Sequence, residues 1–191
     1  MCYKYLSQIP ILFIMSLTIC IPTWSTNLVI KNAPTAVYFS PNGGCQTAII
    51  NAIMHAKKNI LVQAYSFTSA PIIKALQQAH KTGIKVEVIL DRSQETGRYS
   101  GLTYLQHCGI PVWIDSHHAI AHNKVIVIDG ETTITGSFNY TKAAEKSNAE
   151  NIIIINNNNL AQLYENNWQL HRQHSELPQS SNLYSARKQL Q

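Results

Sequence analysis

Residues 59–91 read NILVQAYSFTSAPIIKALQQAHKTGIKVEVILD, and this stretch decides the fold. Asn59 to Tyr65 is a run of strand-forming residues. Ser69-Ala70-Pro71 then starts a helix, with the proline near the first helical position, where its missing N–H is not needed. Ile72, Ile73, Leu76 and Ala79 recur at helical spacing and make one apolar stripe, and Thr82-Gly83 ends it. Lys85 to Asp91 is a second strand. The handedness and length of such a crossover make the two strands parallel neighbours.

The alternation continues on both sides. Toward the N-terminus, Val37-Tyr38-Phe39 is a short strand, Ser40 to Gly44 a turn, and 45–57 a helix through Ile49, Ile50, Ile53 and Met54. Toward the C-terminus, 92–101 is a polar loop, 102–108 a short helix and Val112-Trp113-Ile114 a strand. Lys124 to Asp129 and Glu131 to Thr135 form an antiparallel pair around Gly130. A helix near 141–147, a strand from Asn151 to Ile155, a turn and cap over Asn156 to Asn159, and a helix from Leu160 to Leu170 complete the pattern. The expected architecture is one α/β domain over residues 26–174, a mixed, mostly parallel β-sheet flanked by helices on both faces. Residues 175–191 are expected to be a fraying polar tail.

Composition narrows the class. The chain has 191 residues, enough for one domain, with 45% hydrophobic and 13% charged residues, which excludes a disordered, highly charged polypeptide. Only one apolar stretch nears spanning length, so a polytopic membrane protein is excluded. A net charge of +5 admits a polyanionic partner without establishing one.

Residues 1–25 differ from the rest. Lys4 is their only charge, and Ile9 to Ile21 is an almost wholly apolar run of 13 residues, short of the roughly 20 a spanning helix needs. Pro22 breaks it, and Thr23-Trp24-Ser25 places small residues for a cut after Ser25. A cleaved secretory signal peptide is expected, against an uncleaved anchor or a buried helix. The mature protein would then be periplasmic or secreted, with no stable membrane association. Cleavage removes Cys2 and Cys20 and leaves Cys45 and Cys108, an even pair in an oxidising compartment. A Cys45–Cys108 disulfide is one reading; two small buried thiols are the other.

The chemistry is concentrated in residues 117–151, HHAIAHNKVIVIDGETTITGSFNYTKAAEKSNAEN. His122 and Lys124 stand two apart at the start of a strand, a spacing that projects both side chains to one face. An ammonium and an imidazole together suit a phosphate. The ammonium is a point charge for nonbridging oxygens, and the imidazole is a base, an acid or a nucleophile. Ser137 and Asn139 again share a face and offer a hydroxyl and an amide. Glu150 opens an apolar strand, where it could accept a proton from an imidazole nitrogen and fix its tautomer.

His122, Lys124 and Asp129 in the pattern H-x-K-x4-D, with Gly136, Ser137 and Asn139 as G-S-x-N and Glu150 downstream, resemble the signature of the phospholipase D superfamily. The resemblance runs from about residue 36 to 171. AYSFTSAP (64–71), VILDR (88–92), HAIAHNK (118–124) and GSFNYT (136–141) are most similar to its small bacterial secreted endonuclease branch. The resemblance implies a metal-independent phosphodiesterase in which one histidine forms a phosphohistidine and a second histidine acts as acid and then base. A complete site needs two motifs and this chain carries one, so a homodimer is implied, with His122 from each subunit facing one phosphate. By this reading His122, Lys124 and Glu150 are catalytic, Glu150 orienting His122. Lys124, Ser137 and Asn139 bind phosphate, and Asp129 makes a structural bond at the far end of its strand.

No cofactor and no metal is expected. His117, His118 and His122 include an i, i+4 pair, but the glutamate of an H-E-x-x-H zinc helix is missing, and His118 is read as bracing the site. Arg92, Arg98 and Lys85 are candidates for a groove that holds a polyanion. Tyr65, Phe67 and Trp113 are read as core residues in preference to base-stacking ones. A nucleic acid substrate is expected, and a phospholipid hydrolase at a membrane surface is the alternative.

Overall fold

The computed structural model describes residues 26–97 and 100–179. The expected signal peptide and the chain beyond residue 179 therefore lie outside the described residues. In order, the elements are β1 (Thr35–Ser40), α1 (Cys45–Met54), β2 (Asn59–Ala64), α2 (Ala70–Lys81), β3 (Lys85–Asp91), α3 (Ser93–Thr96), α4 (Leu102–His107), β4 (Val112–Asp115), β5 (Lys124–Ile128), β6 (Thr132–Gly136), α5 (Lys142–Lys146), β7 (Glu150–Asn156) and α6 (Asn158–His174). They build one seven-stranded mixed sheet in the order β1-β7-β6-β5-β2-β3-β4.

The strand–helix–strand unit is parallel, with Val62 opposite Val88, and β4 joins it in parallel. The rest of the sheet corrects the expected balance. The four pairings β1–β7, β7–β6, β6–β5 and β5–β2 are antiparallel, so the sheet is mixed but not mostly parallel. The cause lies in the connections. The loop from β4 to β5 carries no helix across the sheet, so β5 returns alongside β2 in the opposite direction. β5 and β6 are joined by a tight turn in which Asp129 and Gly130 both have positive φ, 58° and 68°, closed by the Glu131 N–H donating to the Ile128 carbonyl at 3.0 Å.

Helices cover both faces. On one, α1 and α2 pack Ile49, Ile53, Ile72 and Leu76 against Val62, Val88 and Ile126. On the other, α6 packs Ala161 and Trp168 against Leu61, Ile89, Trp113, Val125 and Val127. The central strands β2 and β5 are covered on both sides, which is why they read as continuous apolar runs without alternation. Trp168 is 1% exposed; its indole Nε1 donates to the Val62 carbonyl at 2.9 Å, and its ring meets Trp113 edge-on.

Two further expectations need correction. Cys45 and Cys108 are free thiols. Cys45 opens α1 beside the C-terminal end of β1, whereas Cys108 follows α4 at the opposite end of the sheet, and a disulfide needs Cα atoms within about 7 Å. Burial pushes the Cys45 thiol pKa up, and Glu145 adds to the effect. The polar tail does not begin to fray at residue 175. Glu176 forms an antiparallel bridge with Ile114, Ser175 Oγ donates to the His171 carbonyl at 2.7 Å, and the Gln179 N–H donates to Glu95 at 2.9 Å.

Candidate active site

One edge of the sheet collects the chemistry. The C-terminal ends of β2, β3 and β4 bring Ala64, Asp91 and Asp115 there, β5 starts there with Lys124, and β6 ends there at Gly136. Glu150 at the start of β7 pairs with Ser40 at the end of β1. The antiparallel pairings are what place Lys124, Gly136 and Glu150 at the same edge as the ends of the parallel strands.

His122 is exposed, in the loop just before β5. Its ring packs on Tyr65, with centroids 4.5 Å apart. Lys124 is only 6% exposed; its Nζ donates to the His122 carbonyl at 2.7 Å and lies 5.0 Å from the Tyr65 ring centre. Burial lowers the Lys124 pKa from the ordinary lysine value, and the carboxylates of Glu150 and Asp91 oppose that shift. Asp91, itself 2% exposed, holds two loops at once. Its carboxylate accepts the Ser93 N–H at 2.9 Å and the Ala121 N–H at 2.8 Å, and the second bond fixes the residue before His122.

The second cluster follows β6. Gly136 cannot carry a side chain, since a Cβ there would collide with the Asn151 carbonyl. Ser137 and Phe138 donate their backbone N–H groups to that carbonyl, and Ser137 Oγ accepts the Asn151 N–H at 3.1 Å. Asn139 is half-buried; its Oδ1 is enclosed and has no hydrogen-bond partner among the described residues. The Tyr140 carbonyl accepts the N–H groups of Thr68 and Ser69, tying this segment to the one that begins with Tyr65.

Glu150 differs from its expected contact. Its Oε1 accepts from Asn148 Nδ2 at 3.1 Å, and no hydrogen bond joins it to His122 among the described residues. Within one chain its charge acts on Lys124, and Tyr65 is what supports the imidazole. Asp129 lies at the far end of β5, where its carboxylate accepts the N–H groups of Lys57, Lys58 and Asn59 at 2.7–3.0 Å. His118 stands apart with Asp115, His171 and His174. The grouping of His117, His118 and His122 weighed from sequence is not the one that forms.

Other candidates fall elsewhere. Lys85 is at the opposite end of the sheet and pairs with Glu87 at 2.6 Å, and Arg98 lies outside the described residues. Phe67 and Trp113 are buried, while Tyr65 belongs to the site. Tyr65 and Asp91 were missed as site residues because each ends an apolar strand and reads as part of it. Their position at strand C-termini was the available signal.

Three comparisons place this arrangement. The family model described as "Cardiolipin synthase, PLD-like domain" matches residues 49–171. A protein named phospholipase D from Rickettsia felis is 48% identical over 130 residues, which is 68% of this chain and 65% of that protein. The chain thus spans slightly less than two thirds of that relative's length. Among solved structures, a phospholipase D family member, Nuc from Salmonella typhimurium, superposes with a TM-score of 0.75 at 40% identity, over 78% of this chain and 99% of Nuc. NucT from Helicobacter pylori shares the fold, with a TM-score of 0.71 at 21% identity, over 76% of this chain and 99% of NucT.

The fold is therefore that of a phospholipase D-like domain. The chain belongs to the phospholipase D superfamily, on the branch of Nuc.

Proposed function

We propose that the protein is a non-specific endonuclease that hydrolyses DNA, RNA or both through a phosphohistidine, in an active site completed by a second copy of the chain. The observation that carries this reading is the pairing of a single exposed imidazole, His122, with a single buried ammonium, Lys124, on an open edge. A ring nitrogen of His122 attacks phosphorus, so a P–N bond forms as the P–O bond to the leaving group breaks. His122 of the partner subunit donates the proton that the leaving oxygen takes up. It then removes a proton from water, whose oxygen attacks phosphorus and releases His122. The Lys124 ammonium, the Ser137 hydroxyl and the Asn139 Nδ2 amide are the donors that face the nonbridging oxygens. Glu150 supports the charge of Lys124 and, across the dimer, is available to an imidazole.

Two features favour the dimer and the nucleic acid. Val37 and Phe39, on the α6 side of β1, are 52% and 65% exposed, an apolar strip next to the Glu150 end of the site. The chain also carries a net charge of +5, suited to a polyanion. The protein acts in the periplasm or outside the cell, after loss of residues 1–25. The phospholipase D name of the Rickettsia relative supports a second reading, hydrolysis of a phospholipid headgroup ester.

The test is incubation of purified protein with plasmid DNA, RNA and phospholipid vesicles in EDTA, beside the His122→Ala variant. Nucleic acid cleavage that falls steeply with salt and vanishes in His122→Ala is expected. Phospholipid turnover without nucleic acid cleavage would select the second reading, and wild-type cleavage by His122→Ala would end both.

A further inference from the structure

We propose that Asp115, His118, His171 and His174 form a structural zinc site that clamps the last turn of α6 to the loop carrying His122. One donor atom from each residue, a carboxylate oxygen and three imidazole nitrogens, lies within 4.8 Å of the others. His171 Nδ1, His118 Nδ1 and His174 Nε2 stand 2.8, 3.0 and 3.4 Å from the same oxygen, Asp115 Oδ2. A tetrahedral zinc with ligands at about 2.0–2.1 Å sets donor–donor edges of about 3.3–3.4 Å, so the three nitrogens already sit near bonding separation from the carboxylate. Rotation of the His118 and His174 rings, whose side chains are 38% and 29% exposed, closes the wider separations.

Hydrogen bonding alone explains the cluster poorly. The Asp115 side chain is fully buried, and its Oδ1 already accepts the backbone N–H groups of His117 and His118 at 3.2 and 3.3 Å. Oδ2 has two lone pairs, yet three rings converge on it, and the His118 Nδ1 among them also stands 3.1 Å from the already occupied Oδ1. A cation among the four donors uses the nitrogen lone pairs and neutralises the buried carboxylate. Three imidazoles and one carboxylate in a tetrahedral array match zinc, and four protein ligands leave no position for water or substrate, which marks a structural site. The spacing fits as well. His171 and His174 are i, i+3 on one face of α6, and Asp115 and His118 stand three apart across the end of β4. Only Ala119, Ile120 and Ala121 separate His118 from His122, and Asp91 holds Ala121. The metal would thus fix the loop from one side as Asp91 does from the other.

The test strips the purified protein with a chelator, reloads it with Zn²⁺, and measures metal content and melting temperature. One zinc per chain is expected, and zinc at about a hundredfold over its dissociation constant should raise the melting temperature by about 5–10 °C. Co²⁺ in place of zinc should give the intense visible absorption of a four-coordinate site. His174→Gln and His171→Gln should each weaken zinc binding by at least about tenfold, while His55→Gln, at the histidine that follows α1 far from the cluster, should leave it unchanged. Failure to hold zinc, or zinc binding insensitive to both cluster variants, would overturn the proposal. Neither readout depends on turnover, so the clamp can fail without touching the phosphodiesterase reading. Nuclease activity assayed in EDTA, well below the melting temperature of the metal-free chain, tests that reading separately.

Discussion

Lys124 shows how one residue serves function against stability. A 6% exposed ammonium needs charge nearby, and Glu150 and Asp91 supply it without fully offsetting burial, so its pKa falls below the ordinary lysine value. Because the folded pKa lies below the unfolded one, the unfolded chain binds more protons in the window between them. The contribution of Lys124 to stability therefore rises with pH through that window. Activity runs the other way, since phosphate binding needs the ammonium charged. Lys124→Met should reduce kcat by about 10²–10³-fold, with a melting temperature no lower than wild type; a large drop in melting temperature would show that its charge is a net support of the fold.

At the scale of elements, α6 is held to the sheet by one large buried side chain. Trp168 fills the core under β2 and β5, donates to the Val62 carbonyl and meets Trp113, over which the Arg172 guanidinium stands 3.7 Å from the ring centre. Trp168→Ala should destabilise the protein by about 3–5 kcal/mol, measured by denaturant unfolding. Trp168→Phe, which keeps most of the volume and loses the N–H, should lose clearly less. Most elements were legible in the sequence within a residue or two because side-chain period follows directly from backbone geometry. Lys85 to Asp91 reads as a strand and is one, and Asn157 caps α6 through Leu160 as the asparagine run suggests. Strand direction was less legible. β5 follows β4 by a loop whose path depends on which open edge it reaches, and it takes the free side of β2 and not that of β4.

At the scale of the molecule, the proposed chemistry calls for a second copy of the chain. The exposed strip of Val37 and Phe39 is the surface on which the second copy is expected to dock. Phe39→Asp should leave the fold intact, because the side chain is 65% exposed, while turning the dimer into a monomer and removing activity with it. Analytical ultracentrifugation beside a cleavage assay checks this; a variant that stays dimeric and active would exclude the strip from the interface. Two coupled imidazoles should also give a bell-shaped rate profile whose apparent pKa values belong to the pair.

The amino-acid sequence by itself determined the strands and helices, the strand–helix–strand unit, the superfamily and the spacing of His122, Lys124, Ser137, Asn139 and Glu150. These are local or short-range features, written in periodicity and in motifs of a few residues. Tertiary structure alone decided that Tyr65 supports His122, that Asp91 pins its loop, that Cys45 and Cys108 stand at opposite ends of the sheet, and that Asp115 meets histidines 56 and 59 residues away. Those pairings depend on which strand ends share an edge, and that is set by packing of the whole sheet between its two layers of helices.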